Sequence, residues 1–227
     1  AGHYFIRDEN EKALQASHVL PRYPYEVPVV LQDRQLDSLG NLLYPASDPA
    51  NPFLPRPTHL PEFFGDIILA NGITWPRMNV EQRKYRFRLL NGSDSRFYAL
   101  RVQREQSVSG SPSRPRGQPL KILVIGNELG LLNSPVESYW FSPPDPTVVP
   151  TAAPNTPGGG ISQADTLLIA PGERFDVIVD FTDVPVGSRL LMWNFAASPY
   201  NGQVADNVDY TDPTAGLSDR VIAFDVI

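Results

Sequence analysis

Lys84-Tyr-Arg-Phe-Arg-Leu-Leu90 alternates strictly, with Tyr85, Phe87 and Leu89 on one side and Lys84, Arg86 and Arg88 on the other. Side chains along a strand point to opposite faces in turn, so this period of two predicts a strand with one apolar and one wet face. Residues 175–181 repeat it: Phe175, Val177, Val179 and Phe181 alternate with Asp176, Ile178 and Asp180, and the carboxylates read as a solubilising face. Upstream, Asp66-Ile-Ile-Leu-Ala70, Asn71-Gly72 and Ile73-Thr-Trp75 run apolar, turn, apolar. Asn-Gly suits a type I′ hairpin, whose two central residues both take positive φ. Further strands are expected over 26–33, 96–102, 120–125, 165–170, 188–193 and 220–226. About nine short strands separated by turn signals predict an antiparallel sandwich or barrel.

Composition supports that reading. The 227 residues include 24 prolines and 16 glycines, and proline in a helix interior removes a hydrogen bond and clashes with the preceding turn. Helix is expected only over 8–14, with a further short turn within 127–133. Three stretches read as long loops: the Pro-rich 44–61, the polar and basic 107–119, and 142–160 with its Gly158–Gly160 triplet. Length suits one domain or at most two small ones, and 41% hydrophobic residues suffice for a core. With 19 basic against 25 acidic residues the net charge is −6, which lacks the basic footprint of nucleic-acid binding. No apolar run approaches the roughly 18 residues of a membrane span, and no signal-peptide pattern is present.

Catalytic motifs are scarce. The absence of cysteine excludes disulfides, thiol nucleophiles, Cys-ligated zinc and iron–sulfur clusters within the chain. His3, His18 and His59 are isolated, with no His-x-His and no pair four residues apart on a helix, so a copper or zinc centre built from this chain alone is not expected. There is no Gly-x-Ser-x-Gly elbow and no Ser-x-x-Lys, and the Gly triplet lacks the Lys-Ser/Thr of a phosphate loop. Pro61-Glu-Phe-Phe-Gly65 stands out. Adjacent Phe63 and Phe64 in extended chain point opposite ways, one into the core and one toward a neighbouring surface or cleft.

Phe64-Gly-Asp-Ile-Ile-Leu-Ala-Asn-Gly-Ile-Thr-Trp-Pro76 and Val80-Glu-Gln-Arg-Lys-Tyr-Arg-Phe-Arg-Leu-Leu-Asn91 resemble the central, second cupredoxin-like domain of multicopper oxidases, in the group of spore-coat laccases, bilirubin oxidases and phenoxazinone synthases. Val27-Pro-Val-Val-Leu-Gln-Asp33 and Ala170-Pro-Gly-Glu-Arg-Phe-Asp-Val-Ile-Val-Asp-Phe181 match in the same order. Gly126-Asn-Glu-Leu-Gly130 departs from the Gly-Ser-Asp-Gly-Gly of many relatives, and 107–119 and 142–160 are long insertions relative to the spore-coat laccases.

The resemblance implies an all-β, cupredoxin-like Greek-key β-sandwich or barrel with long Pro-rich loops and little helix. It implies that residues 1–20 are the tail of a preceding domain and a linker, packing poorly by themselves, and that 21–227 form the central domain. In the family, phenols, aminophenols or bilirubin-like pigments are oxidised while O₂ becomes water. Electrons enter at a type 1 copper in the third domain and pass to a trinuclear cluster between the first and third. The copper ligands would lie outside residues 1–227, so no catalytic or metal-binding residue is assigned here and copper belongs to the parent enzyme. The central domain would space the flanking copper-binding domains and wall part of the cleft for an aromatic substrate. Pro61, Phe63, Phe64, Ser95 and Arg96 are the implied wall residues, with the less well matched 194–202 as a third segment. Isolated from its neighbours, the domain is expected to expose apolar surface and to self-associate. The family includes exported, spore-coat and cytoplasmic bacterial proteins, so the compartment is left open. The alternative is a stand-alone β-sandwich interaction module without redox activity.

Overall fold

The computed structural model describes residues 2–44, 62–108, 111–138, 166–200 and 218–227. They form one helix, α1 (Glu9–Ala16), and thirteen strands: β1 (Glu26–Arg34), β2 (Ile67–Ala70), β3 (Ile73–Thr74), β4 (Arg77–Val80), β5 (Lys84–Asn91), β6 (Tyr98–Val108), β7 (Ser111–Leu120), β8 (Ile122–Asn127), β9 (Gly130–Glu137), β10 (Leu167–Ile169), β11 (Arg174–Asp180), β12 (Arg189–Asn194) and β13 (Arg220–Val226). Seven make one sheet in the order β3-β2-β1-β5-β11-β8-β9. The second runs β10-β6-β12-β13-β4, with β7 paired to β6. Both sheets are mixed rather than antiparallel throughout, because β1 pairs parallel with β5 and β13 pairs parallel with β4.

The inner faces follow the alternation in the sequence. Phe87, Leu89 and Val177 from the first sheet meet Val102, Met192 and Phe224 from the second, all six with no exposed surface. Phe224 lies 5.6 Å from the Phe87 ring centroid and 5.3 Å from that of Phe181. Each such side chain contributes about 1.5–3 kcal/mol by leaving water, which makes this layer the main source of stability.

The Asn71-Gly72 turn forms as expected, with φ of 52° and 80° and Leu69 opposite Thr74. The Asn71 side chain also prolongs the β1 ladder, since its Oδ1 accepts from Val30 N at 2.8 Å and its Nδ2 donates to Pro28 O at 2.9 Å. Asn71→Ala removes both bonds and places a less tolerant residue at positive φ. The expected loss is about 1–2 kcal/mol, read as a lower urea midpoint, and Asn71→Gly should recover only the conformational part.

Four expectations are corrected. First, the outer face of β5 is wet only at Lys84. Arg86 has no exposed surface and Asp176, on the adjacent β11, is only 7% exposed. Arg86 grips Asp176 with two bonds, Nε to Oδ1 at 2.8 Å and Nη2 to Oδ2 at 2.5 Å, while its Nη1 donates to Glu11 at 2.9 Å. Arg88 binds Glu11 and Glu26, and Arg7 binds the same two carboxylates. Three guanidiniums thus face three carboxylates, and a buried charge is tolerated only when it is paired in this way.

Second, the segment before residue 21 is seated on the sheet through α1 and Leu20, while Tyr4 and Ile6 stay exposed. The Asp8 side chain caps α1 by accepting from Glu11 N at 2.7 Å, which aims Glu11 at the sheet. Leu20 is buried against Ile125 and Ile178, with Leu14 beside them. Third, much of 107–119 is not loop, because β7 returns along β6. Fourth, 127–133 is not helical: a turn at Glu128–Leu129 leads into β9. The expected loop 44–61, apart from Tyr44, and the expected loop 142–160 lie outside the described residues.

Candidate functional site

The first candidate wall segment meets the second at the C-terminal end of β1. Along that strand Val29, Leu31 and Asp33 share the inward parity and all are buried, Asp33 completely. A carboxylate taken out of water at the strand's end needs compensating donors. Arg96 supplies one, with Nε 3.0 Å from Asp33 Oδ2, and Gly65 N donates to the same oxygen at 2.7 Å. Arg96 Nη2 then donates to Gly65 O at 2.6 Å, so one guanidinium holds both the carboxylate and the loop. Asp33 Oδ1 is buried without a hydrogen-bond partner among the described residues.

The second layer of bonds fixes the turn that carries Arg96. Asn91 Nδ2 donates to Arg96 O at 2.8 Å and to Ile169 O at 3.1 Å, and its Oδ1 accepts from Ser93 N at 3.0 Å. Ser93 Oγ accepts from Asp33 N at 3.0 Å and lies 2.8 Å from the Tyr98 hydroxyl. Burial pushes the Tyr98 hydroxyl above its ordinary value, so it stays protonated. The close approach of Gly65 to β1 explains why glycine stands there: a Cβ would meet the Arg34 backbone nitrogen at 2.4 Å.

These contacts place the aromatic pair. Phe63 is buried, its N donating to Ser95 Oγ at 3.3 Å and its ring 5.3 Å from that of Tyr44. Phe64 is half-buried, and the Arg96 guanidinium carbon lies 5.8 Å from its ring centroid. The third segment approaches the same corner, with the Tyr200 ring stacked 4.8 Å from that of Phe97. Phe63, Phe64, Ser95 and Arg96 are therefore brought together, while Pro61 lies outside the described residues.

The arrangement can present a fixed aromatic rim; its hydroxyl–carboxylate contact, Ser95 Oγ donating to Asp94 Oδ2 at 2.8 Å, is exposed, and the same hydroxyl accepts from Phe63 N. Asp33 is occupied by Arg96, and the nearest hydroxyls serve the turn. Among the described residues, no three His, Asp or Glu side chains are grouped to hold a metal ion. The residue that sequence reasoning passed over is Asp33. Its signal was parity, an acidic residue at the next inward position after Val29 and Leu31.

No protein-family model matches the chain. It is 36% identical over 185 residues to a laccase of Bacillus stratosphericus, covering 80% of this chain and 28% of the relative. A laccase of Bacillus subtilis (strain 168) is 34% identical over 196 residues, covering 86% of this chain and 29% of the relative. A bilirubin oxidase of Albifimbria verrucaria is 26% identical over 224 residues, 99% of this chain and 30% of the relative. Among solved structures, the McoA multicopper oxidase of the hyperthermophile Aquifex aeolicus superposes with a TM-score of 0.62 at 29% identity, over 97% of this chain and 35% of that one. The chain thus spans less than a third of the length of these curated relatives.

Proposed function

Because the chain belongs to the multicopper oxidase family as a cupredoxin-like part of a longer architecture, we propose that it is the central domain, which binds no copper itself. It spaces the copper-bearing domains on either side and lines part of the cleft where an aromatic donor docks. The parent enzyme would oxidise phenols, aminophenols or bilirubin-like pigments and reduce O₂ to water. A relative named laccase and another named bilirubin oxidase both match over most of this chain, which supports that donor class and does not favour an isolated interaction module.

The donor set is the observation that carries the non-copper role. A blue-copper site takes its ligands from two histidines and a cysteine, and this chain has three histidines and no cysteine. His3 stacks on Phe5 at 5.1 Å, its imidazole held below its ordinary value by burial, and His18 stands exposed beyond α1. The residues present do not fit a copper centre, and no redox step is routed through them. Their part is mechanical: Arg96 and Asp33 hold Phe63 and Phe64 at a fixed place on the rim, since cleft walls are mostly apolar with few polar groups.

The purified chain, incubated with cupric ion and desalted, is expected to retain no stoichiometric copper and to show no intense visible band of a copper–thiolate site. Retention of one tightly bound copper per chain together with phenol oxidation would overturn the proposal. In solution the surfaces left by absent neighbours, including Tyr4 at 90% and Ile6 at 82% exposure, should promote self-association.

A further inference from the structure

A second concavity lies at the opposite end of β1, roughly 26 Å along the chain from Asp33 to Tyr25 at ~3.3 Å per residue. It has a volume of about 520 Å³ and is lined by His18, Arg22, Tyr23, Tyr25, Arg83 and Lys84 among others, with no Asp or Glu in its lining. Three permanent cations line it and two of them have a carboxylate within 4 Å, in a chain of net charge −6, which leaves a local excess of positive charge opposed to that of the molecule as a whole. The nearest acids lie outside the lining and hold the cations loosely. Glu81 is 3.6 Å from Arg83 and Asp180 is 3.8 Å from Lys84, exposed pairs of little worth.

The cations come with a prepared aromatic surface. The Arg83 guanidinium carbon sits 3.3 Å above the centroid of the Tyr25 ring, and that ring is steadied edge-on against Tyr85 at 5.5 Å. The Tyr25 hydroxyl donates toward Glu81 at 3.2 Å. Tyr23 is 87% exposed beside this stack. A guanidinium already flattened on one ring offers a plane on which a second ring can stack, at little cost in ordering.

We propose that this concavity binds small planar aromatic carboxylates, the ring stacking on Arg83 and Tyr23 and the carboxylate paired with Arg22 and Lys84. Charge-assisted bonds to the carboxylate set its position, and stacking selects aromatic over aliphatic acids. Its volume falls within the ~300–1,000 Å³ of small-molecule sites. The site is independent of the rim around Phe64 and of copper, so its failure leaves the central-domain reading intact, and the copper test leaves this one intact.

The test is calorimetric titration of the full chain with benzoate, against acetate (charge without ring) and benzyl alcohol (ring without charge). Benzoate is expected to bind at one saturable site per chain, at least about tenfold more tightly than either comparator. Arg83→Ala, and separately the double variant Arg22→Gln/Tyr23→Ala, should each weaken it by about tenfold or more. All three side chains lie at the surface, so an unchanged urea midpoint will show that the fold is kept. No saturation by benzoate, acetate bound as tightly as benzoate, or affinity unaltered in both variants would each overturn the proposal.

Discussion

The Arg86→Leu chain is expected to be about 3–5 kcal/mol less stable than the parent, because the change removes both hydrogen bonds to buried Asp176, leaving it only Arg88 at 3.6 Å, and one bond to Glu11. Domains have only about 5–15 kcal/mol in total, so the variant should lie near the edge of folding at 25 °C. Equilibrium urea unfolding measures it. The double variant Arg86→Leu/Asp176→Leu is the decisive comparison. It removes one positive and one negative charge together, leaving Arg7 and Arg88 against Glu11 and Glu26. It should recover most of the loss, since an apolar pair of similar volume replaces a buried ion pair with little penalty. If the single and double variants were equally unstable, packing rather than charge would be the cause.

Acid should act on the same cluster. Burial works to raise the Glu26 carboxyl, but hydrogen bonds from Arg7 and Arg88 leave it below its ordinary value. The unfolded chain therefore takes up this proton first as pH falls. The stability from Glu26 is fully present above the ordinary carboxylate value and is lost as pH drops through the lower, folded one. Because the pairs are buried, added salt should shift this loss far less than it would for surface pairs.

Gly65→Ala is the second large effect. The new Cβ would lie 2.4, 2.5 and 2.6 Å from the Arg34 backbone N, O and C, and backbone cannot rotate aside as a side-chain tip can. The loop or β1 must shift, which breaks the Gly65 N to Asp33 and Arg96 to Gly65 O bonds together. A loss of about 3 kcal/mol or more is expected, accompanied by faster hydrogen exchange at the Gly65 and Phe63 amides. An unchanged urea midpoint would mean that the loop is not seated as described.

Much of the inner architecture was legible because it is local. The alternation of Tyr85, Phe87 and Leu89 needs no knowledge of distant chain to point them inward, and Asn71-Gly72 carries its own turn geometry. The outer face of β5 was misread for the opposite reason. Whether Arg86 is wet depends on Glu11, 75 residues earlier, arriving on α1 to cover it. The polar, basic composition of 107–119 misled in a different way. It suggested loop, but β7 lies at a sheet margin, where the missing N–H of Pro112 and Pro115 is tolerated. At the candidate rim, Phe63 and Phe64 could be singled out from the sequence, whereas the Asp33–Arg96 pair behind them spans 63 residues and appears only once β1 and the turn after β5 meet.

The position of β13 has a consequence for biosynthesis. The last strand of the chain fills the gap between β12 and β4, and the final residues bond to Val80 and Gly187. During synthesis the first sheet stays split until β11, which joins β5 to β8, is made, and the second until residues 220–226 follow. Val80 precedes its partner Val226 by 146 residues, whereas Met192 precedes Ile222 by only 30; the remote contact forms slowly and leaves Val80 without that neighbour while the residues between are made, an interval in which chaperone engagement would matter most.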